Sequence, residues 1–211
     1  NHQTKSNATK VNLKPINKKG GKYSIAGLAI TKDALEAENV FEELGVNGSR
    51  LQELYESEIV TPNGLNSRFD ASLEEILHLI TQRGYSAVFD DLKEQEGSAL
   101  ATAMDNARGG YFSTVPASYP ENAWYTYTDE TCDYKCMITE YFYWGITSHL
   151  GAQNFSSRLD QIENEWKLNT EEKISQTDTA LHAILVNSAY NLPTILPDGN
   201  YTGSTFSITS L

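Results

Sequence analysis

No stretch of the 211 residues approaches the roughly 18 consecutive apolar positions that a membrane-spanning helix needs, so nothing in the sequence reads as a span. Basic residues are scarce. Lys and Arg number 16 against 28 Asp and Glu, for a formal charge of -12. A surface this acidic repels phosphate backbones, which argues against general nucleic-acid binding and against anionic membrane surfaces. Cysteine is nearly absent: Cys132 and Cys136 stand alone, too few for a structural zinc site built on four N or S ligands. The sequence holds no internal repeat. What remains is a folded composition, 39% hydrophobic and 21% charged, long enough to bury a proper core in one domain or at most two small ones.

The spacing of Cys132 and Cys136 suits a local disulfide; a redox-active pair is the alternative. A disulfide implies an oxidising compartment. Sequons at Asn7, Asn47, Asn154 and Asn200 point the same way. The chain starts at Asn1 without a leader-like segment and is read as a mature fragment, secreted or extracellular.

Residues 1–22 are polar and basic, with Lys5, Lys10, Lys14, Lys18, Lys19 and Lys22 ahead of a Gly20-Gly21 pair. They read as a flexible arm. Tyr23–Ile30 reads as a buried strand. Asp33 is an N-cap, and apolar positions at helical spacing predict a helix over 33–44 closed by Gly45. Leu51–Val60 is periodic without choosing a type, and Thr61–Gly64 is a turn. Leu73, Ile76, Leu77 and Ile80 form the stripe of a helix over 70–81, with Gly84 as its stop. Residues 98–108 read as helix, and Tyr111–Thr131 as a long aromatic loop. From about Cys136 to Leu150 the chain is apolar nearly all round, as a buried helix is. Two further helices are predicted over Leu159–Trp166 and Thr179–Val186, and the tail from Leu192 is turn-rich.

Chemistry concentrates in Glu74-Glu75-Ile-Leu-His78. Positions i and i+4 share a helix face, so Glu74 and His78 aim at one point, with Glu75 about 100° round the axis. That is the geometry of His-Glu-x-x-His, in which two imidazoles hold zinc and the Glu acts on the metal-bound water. Here Glu74 stands where the first His would be, and a carboxylate oxygen also binds zinc. A third ligand must come from elsewhere. Glu140 is the candidate, the one acidic residue inside the most apolar helix. A buried carboxylate needs a partner: a metal ion, an Arg or Lys, or a Tyr hydroxyl.

Strand, helix, a further segment, a helix carrying ExxxH, then a late helix carrying Glu: this order resembles the zincin metallopeptidases, over about residues 23–150. The glutamate-ligand branch, the anthrax lethal factor type, is the nearest in pattern. The resemblance implies an α-rich α+β fold, a zincin-like single domain over 23–211 with a small N-terminal sheet and a helical remainder. It implies a zinc site of Glu74, His78 and Glu140, with Glu75 as general base and Tyr134, six residues before Glu140, donating to the oxyanion. Peptide or protein would be the substrate. Two carboxylate ligands weaken the ion as a Lewis acid and favour harder cations such as Mn, Mg or Ca beside zinc. A catalytically inactive zincin-like domain, acting as an extracellular binding or structural module, is the alternative.

Plainer explanations exist for the same residues. Ser72-Leu-Glu-Glu75 is a capping box, and acidic residues in a first turn suit the helix dipole, which covers Glu74. His149 and His182 are reserve ligands, while His2 sits in the arm. The rings of the loop over 111–127 either bind a peptide or glycan or fold back over the core. Asp129, Glu130 and Asp133 could hold calcium, although nothing there matches an EF-hand loop.

Overall fold

A computed structural model describes residues 9–12, 27–31, 51–59 and 69–197. The chain divides into two compact units, residues 1–84 with 202–211, and residues 85–201. The described residues are rich in helix, as the composition and periodicity predict. The predicted helix over 33–44, its caps and the turn at 61–64 lie outside the described residues, as does His2.

In the first unit, strands β1 (Thr9–Asn12), β2 (Gly27–Thr31) and β3 (Leu51–Tyr55) form a three-stranded sheet in that order. β1 runs antiparallel to β2, with Thr9 opposite Ile30. β2 runs parallel to β3, with Gly27 opposite Leu51. Four residues of the basic lead-in are therefore strand. The ambiguous segment from Leu51 resolves as β3 followed by a 3-10 turn, Glu56–Glu58.

Helix α1 (Ser72–Ile80) packs on the sheet through Leu79, which meets Leu54 of β3 together with Ile59 and Ala71. That contact rotates the buried face away from the predicted stripe. Leu77, His78 and Leu79 are buried, whereas Ile76 is 40% exposed. The capping box is not formed either. Ala71 is the N-cap and makes no side-chain cap bond. Asp70 Oδ1 accepts from the Ser72 amide at 2.9 Å instead, and the Glu75 carboxylate is used elsewhere. Nor does Gly84 stop the helix. It does not adopt the left-handed backbone of a C-terminal glycine. The chain runs on through a π-helical turn, Thr81–Tyr85, into a short helical turn at Ser86–Val88. Buried Thr81 marks the change, its hydroxyl donating back to the Leu77 and His78 carbonyls at 3.0 and 3.2 Å.

The second unit is built around α3 (Tyr134–His149), with α2 (Ala99–Arg108), α4 (Arg158–Ile162), α5 (Glu171–Thr177) and α6 (Thr179–Leu185). Ser98 caps α2 by accepting from Ala101 N at 3.0 Å, and Asp133 caps α3 by accepting from Cys136 N at 2.9 Å. Cys132 and Cys136 form the expected disulfide, with Cα atoms 5.3 Å apart. α3 is buried from Met137 to Thr139 and again from Tyr141 to Ser148. Gly145 lets α6 approach closely: a Cβ there would lie 2.7 Å from Leu181 Cδ2. α5 was not visible as a stripe, because Ile174 is its only buried residue. α4 ends at Ile162, short of the predicted Trp166.

The aromatic loop folds back over this core. Tyr125 is fully buried, bridges to Trp166, and donates from its hydroxyl to Met137 O at 2.8 Å. Trp124 Nε1 and the Tyr141 hydroxyl both donate to buried Asp178, at 2.8 and 2.6 Å. Tyr119 donates to Tyr127 O at 3.0 Å. Tyr111, 51% exposed, is the ring that stays largely in solvent. Among the described residues no helix is long and apolar enough to cross a membrane.

Candidate metal centre

α1 presents Glu74, Glu75 and His78 from consecutive turns, as the i, i+4 spacing predicts. His78 is only 4% exposed, while both glutamates are half-buried. Glu140 is half-buried too, which corrects the expectation of a fully buried carboxylate. Its neighbours Thr139 and Tyr141 are buried, so α3 turns the edge of one face toward water at this residue. Glu74 and His78 each offer one ligand atom from α1, and these atoms lie within 4.8 Å of each other; Glu140 belongs to the second unit. Within the first unit the donors are one imidazole nitrogen and one carboxylate oxygen. Zinc accepts this set, and so do the harder ions that prefer oxygen.

Glu75 stands beside this group. Its Oε2 accepts from Gln52 Nε2 of β3 and lies 3.9 Å from His78 Nδ1. That separation is too long for a direct hydrogen bond. β3 adds further negative charge. The Tyr55 hydroxyl donates to Glu53 at 2.8 Å, and its pKa is pushed up to about 12, first by that bond, then by burial and the charges of Glu53, Glu58 and Glu75.

Tyr134 is committed elsewhere. Its hydroxyl donates to Asp105 Oδ2 at 2.8 Å, and the Arg108 guanidinium lies 5.3 Å from its ring centroid. Burial and the Asp105 bond raise its pKa well above the usual tyrosine range. Six residues separate it from Glu140, about 600° of helix rotation, so the two leave α3 on different sides. The reserve histidines are not at this group either. His149 and His182 both face Glu171. Of the acidic residues considered for calcium, Asp129 Oδ1 accepts from the amide and hydroxyl of Thr131, and Asp133 caps α3.

Sequence reasoning missed two residues near this chemistry. Gln52, on the strand that supports α1, had no signal beyond its place in a periodic segment. Glu165 accepts from Trp144 Nε1 at 2.8 Å, and Trp144 lies one turn beyond Glu140 on α3. Burial pushes the Glu165 carboxyl up to about 7, the Glu140 charge adds to the rise, and the Trp144 bond and Arg158 oppose it. Its sequence neighbourhood, Glu-Asn-Glu-Trp, reads as an ordinary solvated face.

No protein family, curated protein or solved structure compared with this chain matches it.

Proposed function

We propose that this chain is a metal-dependent hydrolase acting on peptide bonds, secreted or extracellular, with Glu74, His78 and Glu140 as metal ligands. The observation that carries the reading is the pairing of Glu74 and His78 one turn apart on α1, their ligand atoms within 4.8 Å of each other and Glu75 beside them. A bound divalent ion would lower the pKa of a water molecule and polarise the scissile carbonyl. The chain's own residues do the rest. Glu74, His78 and Glu140 hold the ion. Glu75 takes a proton from the attacking water and returns it to the leaving amine, with Gln52 fixing the carboxylate that does so. The local disulfide supports an oxidising compartment.

A second reading has its own support. Glu75 is already held by Gln52, and the Tyr134 hydroxyl is already held by Asp105. Both groups cast as catalytic thus have structural partners, as they would in a zincin-like domain that keeps an ion for stability alone.

Metal analysis and two variants separate the readings. Protein purified without chelator carries about one equivalent of ion at this centre, and EDTA lowers its melting temperature. The Glu140→Gln variant loses that equivalent. Glu75→Gln keeps the ion and abolishes hydrolysis of a labelled peptide library if the chain is an enzyme. Retained ion with no hydrolysis in the unsubstituted chain selects the structural reading. A melting temperature and metal content unchanged by Glu140→Gln would sink both.

A further inference from the structure

A second group of metal-ligating side chains lies within residues 85–201, built from three helices. His149 is the last residue of α3, Glu171 the first of α5, and His182 sits in α6. His149 Nδ1 faces Glu171 Oε2, and His182 Nε2 lies 2.9 Å from Glu171 Oε1. The two imidazole centroids are 6.4 Å apart at an interplanar angle of 67°. One carboxylate therefore addresses a nitrogen of each ring with a separate oxygen.

We propose that His149, Glu171 and His182 bind a divalent transition ion of the borderline class, such as zinc or nickel. Two imidazoles and a carboxylate make a donor set that selects these ions over calcium and magnesium, which take oxygen ligands. The group is also reachable. The side chains of His149, His182 and Glu171 are 22%, 30% and 43% exposed, so an ion enters from solvent without unfolding. The required adjustment is small. A zinc–nitrogen bond of about 2.1 Å places a ring centroid about 3.2 Å from the ion, so two rings on a tetrahedral ion stand about 5 Å apart. From 6.4 Å the rings must close by about 1 Å, within reach of side-chain rotation at half-exposed positions. Three protein ligands leave a coordination position for water. The ion ties the end of α3 to the start of α5 and the body of α6, so its main effect is on the stability of this part of the chain.

The site is independent of the one under Proposed function, and the test keeps them apart. The full chain is titrated with zinc chloride and with nickel chloride by calorimetry, and its melting temperature is followed in each salt. His149→Ala and His182→Ala each weaken one class of sites by roughly a hundredfold, because even groups that merely orient a ligand contribute ten- to hundredfold. His78→Ala leaves that class intact. Glu171→Gln, which preserves shape but removes the charge and one acceptor oxygen, also weakens it. Magnesium chloride does not occupy that class of sites. Zinc and nickel isotherms for the His149→Ala, His182→Ala double variant that superimpose on those of the unsubstituted chain would overturn the proposal, and circular dichroism confirms that the variant is folded. Loss of sites only in His78→Ala would overturn it equally, while leaving the Glu74, His78, Glu140 centre standing.

Discussion

Replacing Glu165 by Gln tests the electrostatics of the helical core through pH. The Glu165 carboxyl is pushed up from 4.5 to about 7 in the folded chain, chiefly by burial. The native state thus keeps a proton that the unfolded chain releases between those two values. Stability is fully present below about pH 4.5 and is lost as pH rises through the folded value, because the native state binds more protons in that window. Each tenfold in proton affinity is about 1.4 kcal/mol, so the whole displacement is at most about 3 kcal/mol. Solvent at the edge of this half-buried group reduces it to about 2 kcal/mol. Gln keeps an oxygen for the Trp144 indole but cannot ionise. Urea unfolding of both proteins at intervals from pH 4 to pH 8 measures the effect. The two curves should nearly coincide at pH 4 and diverge above pH 5, with Glu165→Gln more stable by about 2 kcal/mol at pH 8. Parallel curves across the range would refute the assignment of a raised carboxyl to this residue.

Three further substitutions probe packing and covalent structure. Gly145→Ala brings a methyl group within 2.7 Å of Leu181 Cδ2, so it should cost about 1–3 kcal/mol by thermal unfolding. Leu181→Val in the same chain should recover part of that loss if the clash is the cause. Asp178→Ala removes the acceptor for Trp124 Nε1, the Tyr141 hydroxyl and the Leu181 amide. A loss of about 3–5 kcal/mol is expected in urea, and a loss under 1 kcal/mol would mean that water replaces the carboxylate. Replacing Cys132 and Cys136 together by Ser should lower stability by about 2 kcal/mol, the loop-closure entropy for a four-residue separation. Reducing agent should then have no effect on the variant.

Helices with a covered face were legible in the sequence: α2, α3 and α6 fall within a residue or two of their expected bounds. α3 was the easiest, because residues that are apolar all round announce burial. α5 was hidden. Its sequence, EEKISQT, places one residue in the core and gives no period, leaving only Thr170 with two acidic residues behind it as a start signal. For α1 the helix was legible but its orientation was not. Periodicity favoured the Ile76 side, whereas docking of Leu79 on Leu54 chose the next face and buried His78. The capping-box pattern misled for a related reason, since Glu75 reaches Gln52 on a strand that is distant in sequence. Ligand spacing within α1 was readable because it is local. The partners of Tyr134, His149 and His182 were not, because each depends on which helices meet.

The bridge between Cys132 and Cys136 spans the first turn of α3, around the Asp133 cap. Initiating a helix is the costly step, since several backbone angles must be set for the first hydrogen bond. A crosslink between residues four apart can close during synthesis, before any distant contact exists. Oxidation would then hand the emerging chain a partly shaped starting turn for its longest described helix, so the redox state met at that moment would govern how fast the rest condenses, as well as how firmly it holds afterwards.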